Sequence, residues 1–381
     1  VHHVLGSQRT LFDIPDDVTY LNCASMSPQL RAVTAAGERA VRARSSPWNL
    51  KAADWFTGAD TLRSLVARIM NADDDGVGIV PSVSYGMAIA AANVPLESGQ
   101  SVVVLAREFP STYYAWRAAA SQRGATVRPV SRAEGESWTE AVLREIDDTT
   151  AVVAVPNCHW TDGSLVDLGV VGDRARSAGA ALVVDASQSL GAYPLDVAEL
   201  QPDFLVAVGY KWLLGPYGLG FIYAAPHRRA GVPIEQSWLA RAGSEDFSKL
   251  VDYTDELRAG ARRYDVGEYS PFVLGPMAEA AQRQVLEWSV PAIQESLAAL
   301  TGEIAQGAAS FGAVTLAPAQ RVGHMVGIRL RNGLPDGIAA TLAAANIHVS
   351  VRGDSIRVAP HLYNDARDVG RFLDVLRRAV S

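Results

Sequence analysis

Cysteine is scarce: the chain has 381 residues and only two cysteines, Cys23 and Cys158. Two cysteines cannot build a disulfide framework or a cysteine-rich metal centre, and they suit a compartment that keeps thiols reduced. The histidines (His2, His3, His159, His227, His324, His348 and His361) show no metal-ligand spacing, so no metal site is expected. Basic charge is short as well. Lys and Arg number 34 against 41 Asp and Glu, a net charge of −7, which argues against a nucleic-acid partner. Long apolar runs are missing: no segment approaches the length that crosses a bilayer, and the opening VHHVLGSQRT lacks the apolar core of a signal peptide. There is no internal repeat or low-complexity tract. These absences leave a globular protein, expected to be cytoplasmic, with neither membrane nor nucleic acid as partner.

What is present is an ordinary core-forming composition, 49% hydrophobic and 20% charged. Seven short apolar runs read as strands: Val77–Val80, Val102–Leu105, Thr126–Val130, Ala151–Val155, Leu182–Val184, Phe204–Val208 and Gly218–Tyr223. Helical spacing lies between most of them, which predicts an α/β fold: a seven-stranded, mostly parallel sheet sandwiched by helices. The link KWLLGPY between the last two strands is too short for a helical crossover, so the seventh strand is expected to run antiparallel to its neighbour. Residues 226–270 read as loop. Gly275 to Phe311 reads as helix with a break at Pro291, and the tail reads as a smaller α+β domain. The expected organisation is an N-terminal arm at 1–20 packing on the small domain, a large domain at 21–278 and a small C-terminal domain at 279–381.

Ligands in such a sheet bind at the carboxyl ends of the parallel strands. Ser82, Phe109, Asn157, Asp185 and Lys211 all fall there. Lys211, directly after VAVGY, is costly to bury unless something uses it. Desolvation lowers a lysine pKa and makes imine formation practical. Asp185, one strand earlier, is placed to hold a pyridine nitrogen protonated, and Gln188 to reach a ring hydroxyl. Together they point to pyridoxal 5'-phosphate (PLP) bound as a Schiff base. Read singly, Lys211 is a snorkelling strand-end lysine and Asp185 a helix cap. Ser82, Val83 and Ser84, between a strand and a helix, form an anion site suited to the cofactor phosphate, with Tyr210 as a second donor. Phe109 is either a ring-stacking aromatic or a core residue. In NCHWTDGS, His159, Trp160 and Asp162 are candidates for contacts to ring substituents or substrate, although for His159 a hydrogen-bonded structural role is preferred over acid/base catalysis. Arg357 is placed to grip a substrate carboxylate through its guanidinium fork.

The motifs VVDASQSLG and GYKWLLGPYGLGFIY, supported by YLNCASMSP, VPSVSYGM, EFPSTYYAW, RRYDVGEYSP and RVAPHLYN, resemble the class V aminotransferase family of fold-type I PLP enzymes. That family includes cysteine desulfurases, kynureninases, isopenicillin N epimerase-like proteins and C–S lyases of ergothioneine biosynthesis. The resemblance implies that Lys211 carries the cofactor and that Asp185 and Gln188 meet the ring nitrogen and ring oxygen. It places Phe109 in stacking contact, as in the kynureninase-like branch, Ser82 to Ser84 and Tyr210 at the phosphate, and Arg357 at the substrate carboxylate. The VGEYS segment, with Glu268, resembles a loop that contacts the neighbouring subunit's phosphate, which implies a homodimer. Two departures stand out. The region NIHVSVRGDSIRV has no cysteine where desulfurases carry their nucleophile, and NCHWTDG differs from the more usual Thr-Gly ending. The expected activity is a transaminase-type reaction on an amino acid. The alternatives are a C–S or C–C lyase (kynureninase-like or ergothioneine lyase-like), an amino-acid epimerase, or a PLP-fold binding protein without catalysis.

Overall fold

A computed structural model describes residues 4–380; His2 and His3, at the start of the expected arm, lie outside the described residues. The chain opens with a short strand, β1 (Thr19–Tyr20), then helices α1 (Arg31–Ala43) and α2 (Thr57–Ile69). The central region alternates β2 (Val77–Val80), α3 (Val83–Asn93), β3 (Ser101–Leu105), α4 (Pro110–Arg123), β4 (Thr126–Val130), α5 (Trp138–Glu145), β5 (Thr150–Pro156), α6 (Leu168–Ser177), β6 (Ala181–Asp185), the single turn α7 (Val197–Leu200), β7 (Phe204–Val208) and β8 (Gly220–Ala224). Beyond a loop region of short 3-10 turns come α8 (Leu274–Trp288), α9 (Val290–Ala309), β9 (Ala313–Val314), β10 (Val326–Leu330), α10 (Ile338–Ala344), β11 (Ile347–His348), β12 (Ser350–Arg352), β13 (Ser355–Val358) and α11 (Ala366–Val380).

The seven-stranded sheet has the order β2-β8-β7-β6-β5-β3-β4. Only β8 runs against its neighbours, antiparallel to both β2 and β7, as the short KWLLGPY link requires. Six of the strands are buried along their whole length, which explains their unbroken apolar sequences. The edge strand β4 is the exception: Arg128 and Pro129 sit there because an edge tolerates a charge and a residue without an N–H. Separate apolar clusters cover the two faces of the sheet.

A four-stranded sheet, β12-β13-β10-β9, backed by α9 and α11, forms the C-terminal unit around its own core. The sequence pattern contains no signal for the two-residue β9. The helical break falls at Ser289, in the left-handed region (φ 64°), rather than at Pro291. Pro291 lies in the first turn of α9, where a missing N–H leaves no intrahelical bond unmade. Helix α8 packs on α1 and α2, so the chain stays with the large unit through residue 288, past the expected boundary at 278. The N-terminal segment crosses between the units: β1 pairs in parallel with β11, and the Cys23 amide donates to the Ala359 carbonyl at 3.0 Å. Among the described residues, no helix is long and apolar enough to cross a membrane.

One buried ion pair fixes the loop region against the sheet. Arg63 of α2 is fully buried and forks onto Asp265, with Nη2–Oδ2 at 2.5 Å and Nη1–Oδ1 at 3.0 Å. Its Nη1 also donates to the Val77 carbonyl, and Asp265 Oδ1 accepts the Ile79 amide. Removing one member strands a charge in a dry interior, which costs about 3–5 kcal/mol. Arg63→Met should lose that much in urea unfolding, and adding Asp265→Leu should recover most of it. A loss below about 1 kcal/mol in the single variant would show that the pair behaves as a surface bridge.

Candidate active site

The carboxyl ends of β2, β3, β5, β6 and β7 converge on a cavity of about 280 Å³. Lys211, three residues beyond β7, lies on its wall with 6% exposure. Burial lowers the amine pKa to about 8, with the Asp185 charge opposing that shift. The Lys211 Nζ lies 5.3 Å from the centroid of the Phe109 ring and 5.8 Å from that of Tyr210. The backbone beneath it is braced from the N-terminal segment: Ser27 donates through both N and Oγ to the Tyr210 carbonyl, and Cys23 Sγ lies 3.8 Å from the Lys211 carbonyl oxygen.

Asp185 ends β6 and lines the same cavity. Its Oδ2 accepts from Thr112 Oγ1 at 2.8 Å and its Oδ1 from the Ser187 amide at 3.0 Å. No helix follows at Ser187, so the carboxylate caps a turn and faces the cavity at once. The Gln188 amide is held at both ends: Nε2 donates to the Ala24 carbonyl and Oε1 accepts from Trp212 Nε1, each at 3.0 Å. One amide hydrogen is left for a ligand. Ser82 caps α3 by accepting the Tyr85 amide, and its Oγ is 2.9 Å from that of Ser84. Capping leaves the first N–H groups of the helix free, which suits an anion. Ser82, Val83, Ser84 and Tyr210 all line the cavity, and Tyr217, whose ring lies 4.6 Å from that of Tyr210, joins them. Phe109 is half-buried on the wall, edge-on to Trp160 at 5.7 Å, and so is not a core residue.

The other sequence candidates separate. Trp160 lines the cavity. His159, the adjacent residue, points away from it and stacks on Trp138 at 5.1 Å. Its Nε2–H donates to the Ala106 carbonyl and its Nδ1 accepts from Thr161 Oγ1. Burial pushes its pKa down, so it is a neutral structural histidine. Asp162 also leaves the cavity and binds Ser164, Arg132 and Arg329 of β10, tying the large unit to the small one. Arg357 on β13 is buried, with Nη1 on the Trp160 carbonyl at 2.8 Å and Nε without a partner. Burial lowers its pKa to about 10. It stands behind Trp160 rather than on the cavity wall. Glu268 is exposed and outside the cavity of its own chain.

Several residues of the site carry no distinctive sequence signal. Thr112 orients Asp185 from the first turn of α4. Trp212 and His324 fix the Gln188 segment, the His324 Nε2–H donating to the Gln188 carbonyl at 2.6 Å. Glu108 sits between a strand end and a proline-started helix, where an acid normally means solvent, yet it lines the cavity with 7% exposure. Its Oε1 accepts the Phe109 amide, its Oε2 has no partner, and burial pushes its pKa up to about 8. Cys158 lines the cavity too, but burial holds its thiol protonated, with a pKa of about 12. Asn157 Oδ1 and Nδ2 and Ser187 Oγ are also buried without partners. Asn157 does not line the cavity, but Glu108 and Ser187 do, and their unmet polar atoms beside the Lys211 amine fit a polar, multiply hydrogen-bonded ligand such as PLP. Among the described residues, no cluster of three or more metal-ligating side chains occurs.

Comparison with known proteins gives consistent results. The family description "Aminotransferase class-V" matches residues 23–372. The uncharacterized aminotransferase YcbU of Bacillus subtilis is 27% identical over 98% of both chains. An isopenicillin N epimerase of Amycolatopsis lactamdurans is 26% identical over 94% of both. The apo structure of a cysteine desulfurase from Thermococcus onnurineus NA1 superposes with a TM-score of 0.83 at 20% identity, covering 98% of this chain and 97% of that one, a likeness of fold.

Glu108 gives a pH test of the site. A carboxyl whose folded pKa lies above its unfolded value stabilises the fold at low pH, and that contribution is lost as pH rises towards 8. Glu108→Gln should therefore gain in Tm over the wild type as pH goes from 5 to 9, by on the order of a few kcal/mol in stability. Equal margins at both pH values would show that the carboxyl is solvated.

Proposed function

The chain belongs to the class V aminotransferase family, and from that footing we propose a transaminase-type enzyme that uses PLP on an α-amino acid through Lys211. The observation that carries this is the pairing, on one cavity, of a buried amine with lowered pKa and an aspartate from the adjacent strand end. PLP is the cofactor. When bound, it supplies an electron sink for the charge left at the substrate Cα after proton loss.

The chain's own residues then have distinct tasks. Asp185, oriented by Thr112, would hold a proton on the pyridine nitrogen. The free N–H groups at the start of α3, Ser84 and Tyr210 would hold the phosphate, and the remaining Gln188 amide hydrogen would serve the ring oxygen. Phe109 would cover one ring face. The Lys211 amine, displaced by the substrate amine, would take the proton from Cα and relay it away from that carbon, a role that requires an uncharged form near neutral pH. Arg357 would take the α-carboxylate once its hold on Trp160 loosens. The homodimer is part of the same proposal: Glu268, exposed and away from its own cavity, is free to reach a second subunit.

A β-elimination reading is favoured by one observation. Glu108 is a carboxylic acid that is largely protonated at neutral pH on the cavity wall, suited to protonating a leaving group. Products separate the readings: a keto acid formed with an amino acceptor supports transamination, whereas pyruvate with ammonia or a thiol supports elimination.

The Lys211 assignment has its own test. At pH 8 a pKa of about 8 leaves on the order of a hundredfold more free amine than an ordinary lysine. Covalent capture of PLP by the apo-protein, trapped with borohydride, should accelerate as pH passes about 8, and Lys211→Ala should abolish trapping. Trapped cofactor in that variant would assign the attachment to another lysine.

A further inference from the structure

Three arginines meet around Trp160, which lines the cavity. Arg357 Nη1 donates to its carbonyl at 2.8 Å. The guanidinium of Arg352, on β12, lies over its ring, 5.7 Å from the centroid. Its Nε1 donates to the carbonyl of Arg107 at 2.8 Å. Arg107 closes the group: its Nη1 is 3.5 Å from where a Cβ on Gly353 would stand, beside Arg352. Among the described residues, none of the three has a carboxylate partner. The nearby acids are engaged elsewhere: Asp354 with Arg329, and Asp162 with Arg329 and Arg132. Nε of Arg352 and Nε of Arg357 are both buried without an acceptor.

This arrangement is costly in the free protein. Like charges without carboxylates are gathered beside the Trp160 wall of the cavity, Arg107 exposed and Arg352 half-buried. Arg107 also holds φ at 58°, in the left-handed region, where a residue with a side chain is strained. Guanidinium groups without carboxylates, buried donors without acceptors and a left-handed residue coincide beside Trp160, part of the wall of the cavity that holds Lys211. The electrostatic penalty falls when an oxyanion binds between the guanidinium groups.

We propose that Arg107 and Arg352 form a second anion subsite at the cavity mouth, so that the substrate is an α-amino acid whose side chain ends in a carboxylate or another oxyanion. This rests on the amino-acid reading above, with Arg357 serving the α-carboxylate. A neutral side chain would leave the two outer forks unmet, and a basic one would be repelled.

The test uses the PLP-loaded enzyme. Apparent dissociation constants come from the change in cofactor absorption on adding aspartate, glutamate, cysteate or O-phosphoserine, each compared with asparagine, glutamine and alanine. Glutarate against butyrate, measured by calorimetry, reports the subsite without any chemistry at the cofactor. Acidic ligands should bind about tenfold tighter than their neutral counterparts, the scale of one charge-assisted contact. Arg352→Gln and Arg107→Gly should each reduce that ratio by about tenfold; glycine accepts the left-handed backbone, so Arg107→Gly should fold. The ranking of carboxylate, sulfonate and phosphate identifies the oxyanion. Equal binding of acidic and neutral amino acids, with normal spectral responses, overturns the subsite and leaves the amino-acid reading standing. Arginine-dependent glutarate binding without a response to any amino acid upholds the subsite and overturns that reading. Variants that leave the ratio unchanged overturn the subsite.

Discussion

The site depends on one enforced condition: an amine held out of water at the end of a parallel strand. Burial destabilises the Lys211 ammonium more than Asp185 restores it. The surrounding architecture maintains that imbalance. Strand β7 delivers the lysine, β6 places Asp185 on the same rim, and the apolar sheet keeps water from entering from below. The Ser27 and Cys23 contacts fix the backbone from which the side chain departs. A solvated Lys211 would recover its ordinary basicity and lose its use at neutral pH.

The parts legible in the sequence are those with a strong local cause. Strands buried on both faces read as continuous apolar runs, so the seven-stranded sheet and the reversal of β8 were within reach. A lysine and an aspartate at strand ends have few bland explanations when taken together. The parts that were not legible depend on side-chain direction. His159, Trp160 and Asp162 lie within four residues of one another, yet only Trp160 faces the cavity. Nothing in NCHWTDGS marks which way the turn aims each one. Glu108 has the sequence context of a surface acid, and only the tertiary fold closes over it. The break between α8 and α9 lies at a serine with positive φ, a conformation the sequence does not advertise.

The wall of the cavity combines two kinds of element. Lys211, Asp185 and the start of α3 come from the sheet rim. Trp160 comes from the loop after β5, and Arg107, Arg352 and Arg357 lie around it from a loop and from the C-terminal unit. This division suits a family whose relatives carry names as different as aminotransferase and epimerase. The rim is held by strand pairing, and the mouth is built from residues that can change without disturbing the sheet.

The pairing of Thr19 with Ile347, and the bond from Cys23 to Ala359, join segments almost the full length of the chain apart. Contacts of such separation form late, because the intervening chain must first be ordered. The segment that braces Tyr210 and Lys211 precedes both sheets in the sequence, but its strand pairing needs the C-terminal strands. A chain in which this segment has not docked lacks the backbone braces beneath Lys211. Followed during refolding, the appearance of a trappable amine at neutral pH serves as a clock for the final closure of the fold.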